Sequence, residues 1–136
     1  MRIVEYKKKC KLNNLDCEKN IIEGEFSLES GFNMFNELHQ LNKVPKVLIC
    51  GNDFIAMGAN KAAYIHGYDV GNDLKIIGIN DIPVSEYMVP SLTTVSIPQS
   101  EMGREAVLLV KKHKNEKSSY PITISLPTKL IKRKSC

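Results

Sequence analysis

The sequence predicts an α/β fold in which a mostly parallel, doubly wound sheet carries helices on both faces. Three observations carry that expectation. Segments of strand length alternate several times with segments of helical periodicity. The strand candidates Lys46-Val-Leu-Ile-Cys50 and Leu74-Lys-Ile-Ile-Gly-Ile79 are largely continuous apolar runs, as strands covered on both faces must be. Each run also ends in a polar corner that can open a helix or a turn.

Taken in order, Arg2 to Leu12 reads as the tail of a helix, with Ile3, Tyr6 and Cys10 on one side and Asn13-Asn14 as its stop. A helix tail at that position leads us to expect a structural unit whose earlier portion is absent. Asn20-Ile-Ile-Glu-Gly24 is a short strand candidate. Ser27 is an N-cap for a helix from Ser30 to Leu41, in which Phe32, Phe35, Leu38 and Leu41 recur every third residue. After the Lys46 to Cys50 strand, Asn52 and Asp53 cap a helix from Phe54 to His66. Its alanines at 56, 59, 62 and 63 allow close approach to a sheet, and Gly67 stops it.

The next strand, Leu74 to Ile79, leads through Asn80-Asp81 and the Pro83 turn to a short helical stretch at Ser85 to Met88. Thr93 to Ile97 is another strand. Glu101 to Lys112 is a helix with Met102, Ala106, Leu109 and Val110 inward and Arg104, Glu105, Lys111 and Lys112 outward. Two last strands, Ile122 to Leu126 and Thr128 to Ile131, flank Pro127.

Composition narrows the function. The 136 residues are 43% hydrophobic and 25% charged, as in an ordinary globular domain. A net charge of +4 falls short of a dedicated nucleic-acid binder, and the basic residues gather at the two ends, where solvated termini explain them. Cys10, Cys17, Cys50 and Cys136 lack the short paired spacing of a zinc site, and no apolar leader precedes them, so reduced thiols in a cytoplasmic protein are expected. No apolar run reaches the ~18 residues of a membrane span.

Enzyme chemistry finds little support. There is no Gly-x-Ser-x-Gly elbow, His-Glu-x-x-His pair, phosphate-binding loop or dinucleotide fingerprint. His39, His66 and His113 are scattered near helix ends and read as surface imidazoles. Glu23 and Glu25 could form an acid/base pair, but nothing beside them supplies a nucleophile or a metal. No cofactor and no metal are expected.

In an open parallel sheet, ligands bind beyond the carboxyl ends of the strands, where helix N-termini and polar loops converge. Three clusters follow the strands: Glu25-Phe26-Ser27, Asn52-Asp53 and Asn80-Asp81. Amides and carboxylates beside an aromatic ring suit a polyhydroxylated small molecule, whose hydroxyls need donors and acceptors and whose apolar face stacks on a ring. Each residue also has a structural explanation: Ser27 and Asp53 as caps, Asn80-Asp81 as a turn, Phe26 as core.

Five segments carry a resemblance. Cys50-Gly-Asn-Asp-Phe-Ile-Ala-Met-Gly-Ala59, Ile76-Ile-Gly-Ile-Asn-Asp-Ile-Pro83, Pro90-Ser-Leu-Thr-Thr-Val95, Met102-Gly103 and the ending Leu126-Pro-Thr-Lys-Leu-Ile-Lys-Arg-Lys-Ser-Cys136 resemble, in order, the signature blocks of LacI/GalR-type transcription repressors. The resemblance covers essentially the whole chain. It implies the C-terminal subdomain of an effector sensor similar to type I periplasmic sugar-binding proteins. Phe26 and Asp53, with Asn52 beside them, would line the pocket for a sugar-like effector. Asn80 stands where the family usually presents an aspartate, so an uncharged amide replaces a carboxylate there.

The resemblance further implies homodimer pairing through the helix opening at Phe54 and Met57 and the segment Ile82 to Met88, including Tyr87. The segments between residues 96 and 126 would pack in an absent N-terminal subdomain. Unless they repack, Met102, Leu109 and Val110 would then be exposed. Operator DNA would be read by an absent head. The alternatives are a fragment of a periplasmic-type sugar receptor, and a truncated regulator that only dimerises.

Overall fold

The computed structural model describes residues 2–15, 20–115 and 121–136. Cys17 lies outside the described residues. Helix α1 (Arg2–Leu12) ends where the Asn13 side chain donates to the Lys9 carbonyl at 2.8 Å and Asn14 turns to φ +54°, a conformation asparagine tolerates. Among the α1 residues whose burial is described, Cys10 is buried, and it lies outside the main core cluster.

The strand expected at Asn20 to Gly24 does not form. Among the described residues, these are not part of the four-stranded sheet and lead into α2 (Leu28–Gln40). Ser27 caps α2 as expected, its hydroxyl accepting from the Ser30 amide at 3.1 Å. Strand β1 (Val47–Ile49) then leads to α3 (Asp53–Ile65). The cap of α3 is Asn52 alone, whose Oδ1 accepts from the Ile55 amide at 2.8 Å; Asp53 is the first helical residue and is turned inward. Gly67, at φ +78°, closes the helix as Tyr68 N–H reaches back to the Ala63 carbonyl at 3.0 Å.

The sheet is completed by β2 (Lys75–Asn80), β3 (Thr93–Ser96) and β4 (Lys129–Ile131), in the order β1-β2-β3-β4. The first three strands are parallel and β4 is antiparallel to β3. This is the α/β class and mostly parallel open sheet that the alternation of elements predicted. Between β2 and β3, the helical stretch expected at Ser85 to Met88 is a 3-10 turn over Pro83–Glu86, opened by proline at a position where a missing N–H costs nothing.

Two glycine contacts set the core. A Cβ on Gly31 would collide with the Ile55 carbonyl, and one on Gly58 with the Leu28 carbonyl. Helices α2 and α3 therefore touch backbone to backbone. Ala56, Ala59, Ala62 and Ala63 of α3 are buried in one cluster with Phe35 of α2, Ile76 of β2, Leu74 and Leu92. Of the four residues spaced along α2, only Phe35 is fully buried, and Leu41 is exposed.

The chain end differs most from expectation. No strand forms at Ile122 to Leu126, where Ile122 and Ile124 are exposed. Helix α4 (Gln99–Asn115) forms, and the face that periodicity turns inward is left largely uncovered, as expected of an unrepacked segment: Met102, Ala106 and Val110 are exposed and Leu109 is half-buried. Among the described residues α4 makes none of the principal contacts between elements.

Candidate functional site

The carboxyl ends of β1, β2 and β3 form the site's floor. After β1 comes Cys50-Gly51-Asn52. Asn52 is buried by its capping role, and its Nδ2 donates to the Phe26 carbonyl at 3.4 Å, tying the entry to α2 onto the start of α3. The Phe26 ring lies against Gly51, where an added Cβ would stand 3.0 Å from it. The ring is nevertheless 66% exposed, so it is not core; it offers an apolar face to solvent.

Asp53 is fully buried. Its carboxylate accepts three hydrogen bonds: Oδ2 from the Ile82 amide at 2.9 Å and the Ser85 hydroxyl at 2.8 Å, Oδ1 from the Thr94 hydroxyl at 2.6 Å. A charged acceptor makes such bonds about twice as strong as neutral ones. The α3 start, the 3-10 turn and β3 are thereby fastened at one point. Glycine at 78 is required for this, because a side chain there would overlap the Asp53 carboxylate. Burial, followed by the nearby Asp53 charge, pushes the Cys50 thiol up to about 12, which leaves it protonated and unreactive.

After β2, Asn80 and Asp81 both take positive φ, +118° and +55°. Asn and Asp bear that region better than other residues with a side chain. Asp81 is held by Arg133, whose Nη2 lies 2.9 Å from Asp81 Oδ1 and whose Nη1 donates to the Leu92 carbonyl at 2.9 Å. An open groove of about 350 Å³ lies between this turn and the first turn of α4. Asn80, Asp81, Ser96, Gln99, Ser100 and Glu101 give it its polar lining.

Phe26 and Asn52 are thus brought together, and Asn80 lies with Asp81 along the groove; Asp53 sits beneath, in the interior. Sequence reasoning missed Arg133 as part of the site, having treated the basic ending as solvated. Ser135 was missed likewise: it is buried, its hydroxyl donating to the Ile76 carbonyl at 2.7 Å and accepting from the Thr93 amide at 2.8 Å. Two adjacent buried threonines at 93 and 94, in a strand flanked by apolar residues, were the available hint that side-chain partners had to exist nearby.

The histidines are not all scattered. His39 and His66 stack with ring centroids 3.8 Å apart, where the C-terminal ends of α2 and α3 meet, and they bond Tyr68 and Asn36 respectively. Among the described residues no cluster of three or more His, Cys, Asp or Glu is placed to hold a metal ion. No helix among them is long and apolar enough to cross a membrane.

The Arg133 contacts make a prediction. Arg133→Met should cost about 2 kcal/mol, because it leaves a half-buried carboxylate unpaired and the Leu92 carbonyl short of a donor. Urea unfolding followed by circular dichroism should show the lower midpoint with an unchanged slope.

Comparison with known proteins gives a consistent picture. The model of the periplasmic binding protein-like domain matches residues 1–136. The NTD biosynthesis operon regulator NtdR of Bacillus subtilis (strain 168) is 36% identical over 124 residues, which is 90% of this chain and 38% of that protein. The HTH-type transcriptional repressor PurR of Actinobacillus pleuropneumoniae serotype 3 (strain JL03) is 38% identical over 117 residues, 85% of this chain and 35% of that protein. The Lac repressor, solved bound to ONPG in its repressed state, superposes with a TM-score of 0.89 at 27% identity, over 99% of this chain and 40% of that one. The chain therefore spans little more than a third of the length of these curated relatives.

Proposed function

Because the chain belongs to the periplasmic binding protein-like domain family, among the effector-binding domains of LacI-family transcription repressors, we propose that it senses a small, sugar-like molecule and pairs with a second copy of itself. It is read as a regulator's sensor and not as an enzyme, acting in the cytoplasm. The observations that carry the ligand reading are the exposed Phe26 ring before α2 and the polar groove with Asn80 at the carboxyl end of β2. Phe26 supplies a stacking face, Asn80 supplies both a donor and an acceptor, and Asn52 holds the Phe26 backbone in place. Asp53 serves the same site by fixing the Asn52 and Ile82 segments rather than by reaching the ligand.

The test is a thermal melt with a panel of sugars. A ligand that binds only the folded chain stabilises it by about 2.7 kcal/mol at a hundred times its Kd. Phe26→Ala should abolish that shift while moving the unliganded melt by less than about 0.5 kcal/mol, since the ring is mostly exposed. A full shift in the Phe26→Ala protein would remove the ring from the site.

Self-association is supported by the apolar surface beside the site. Phe54 is 43%, Tyr64 74% and Tyr87 80% exposed, and Met57, Ile82 and Met88 are half-buried. Large apolar side chains left exposed on a small domain favour a partner surface, and a second copy supplies one by symmetry. Tyr87→Asp should shift sedimentation from dimer toward monomer; a wild-type chain that is monomeric at tens of micromolar, on the order of an ordinary Kd for a weak dimer, would sink the idea.

In the whole regulator, the segments between residues 96 and 126 are proposed to pack against a further subdomain, which fits the exposed faces of α4 and of Ile122 and Ile124. Operator DNA would be contacted by a head outside these 136 residues, in keeping with the HTH-type repressor among the relatives. Effector occupancy then changes repression only by favouring one arrangement of the subdomains over another.

A further inference from the structure

We infer that the groove selects an uncharged or amine-bearing polyol and rejects its phosphorylated counterpart, with Glu101 as the residue that enforces the choice. The inference rests on the ligand reading above and adds the charge class of the ligand.

Helix α4 begins at the groove, with Gln99, Ser100 and Glu101 in its first turn. The start of a helix of this length would ordinarily attract an anion, because the first amides point outward and the aligned peptide dipoles leave positive charge there. Here the Gln99 amide is turned back to the Ile97 carbonyl at 2.8 Å, which takes one of the first-turn donors from the groove. The positive end is also met by the chain's own carboxylate, Glu101, which is exposed on the groove. A phosphate entering from solvent would have to sit beside that charge.

On the facing wall, the guanidinium that could have received a phosphate, Arg133, is engaged by Asp81 and the Leu92 carbonyl. The Arg133 side chain is only 16% exposed, so it cannot swing to a ligand without abandoning both partners. What remains to greet a ligand is Asn80, Ser96, Gln99 and Ser100, amides and hydroxyls that donate and accept, together with the Glu101 carboxylate, which only accepts. Hydroxyl and ammonium groups are donors and fit this set. Phosphate oxygens are acceptors and meet like charge.

The experiment titrates the full chain, by calorimetry and thermal melt, with a panel of pentoses and hexoses, glucosamine, and the matched ribose 5-phosphate and glucose 6-phosphate. The expected result is that the sugar or amino sugar that binds does so at least about tenfold more tightly than its phosphate, a gap of about 1.4 kcal/mol. Glu101→Gln should narrow the gap, and Glu101→Lys should close or reverse it. Tighter binding of a phosphate by the wild-type chain would overturn this inference and leave the sensor reading standing. Discrimination that survives unchanged in Glu101→Lys would overturn the role given to Glu101. Binding of no member of the panel would defeat the ligand reading itself, and this inference with it.

Discussion

Asp53→Ala is expected to be among the most damaging single substitutions in the chain, costing about 4 kcal/mol and, in a domain this small, most of its stability. Three donors lose their acceptor at once: the Ile82 amide and the Ser85 and Thr94 hydroxyls. Ser85 and Thr94 are fully buried, so water cannot replace the carboxylate without opening the structure. Each orphaned buried donor costs about 1–3 kcal/mol. Asp53→Asn should be milder, near 2 kcal/mol, because one oxygen survives and the hydroxyls can rotate to accept from the new amide. Urea titration of the three proteins should rank them in that order. Equal stability of Asp53→Ala and wild type would mean that the network contributes nothing. Because Ile82 lies between the groove and Tyr87, the Asn variant should also weaken self-association, which sedimentation of the folded protein can read.

Gly58→Ala should cost about 3 kcal/mol or more, against the usual gain for replacing a helical glycine. A methyl at this position meets the Leu28 carbonyl and lies 2.7 Å from the Phe32 amide nitrogen, both backbone atoms that cannot step aside. The whole of α2 must lift from α3, and with it goes the burial of Phe35. Gly31→Ala, which meets the Ile55 carbonyl from the other side, should behave alike. Gly103 of α4 is the control, since a Cβ there meets nothing within 4 Å. Gly103→Ala should stabilise by up to about 1 kcal/mol. If Gly58→Ala and Gly103→Ala moved the melt alike, the close crossing of α2 and α3 would be wrong.

These two positions show what can be read from a sequence and what cannot. The alternation of apolar runs with capped, amphipathic segments announces β1, α3, β2 and β3, because periodicity and caps are local properties. Ser27 and Asn52 are legible for the same reason. The roles of Gly31 and Gly58 are not, since a glycine within a helix shows its purpose only once the second helix is in place. Asp53 read equally well as a cap or a ligand group; its three partners are 29, 32 and 41 residues away and nothing local points to them.

The misread segments fail for a different physical reason. Asn20 to Gly24 and Ile122 to Leu126 have strand-like composition, but a strand exists only by pairing, and among the described residues neither stretch is one of the four strands of this sheet. The apolar side of α4 is legible from its periodicity, but the described residues leave Met102, Ala106 and Val110 exposed. His39 and His66 belong to separate helices and meet only because the two helices end together. Arg133 and Ser135 sit in a run of charged and small residues that resembles a solvated tail until β4 carries it back along β3.

The measurement that tests the central claim most directly is calorimetric titration of the whole chain with the panel of neutral sugars, repeated on Phe26→Ala and Asn80→Ala. The account predicts saturable binding of at least one sugar to the wild type, lost in Phe26→Ala and weakened at least tenfold, or about 1.4 kcal/mol, in Asn80→Ala. Binding that both variants retain at full strength would place the ligand elsewhere on the molecule and contradict the site argued from the carboxyl ends of β1 and β2.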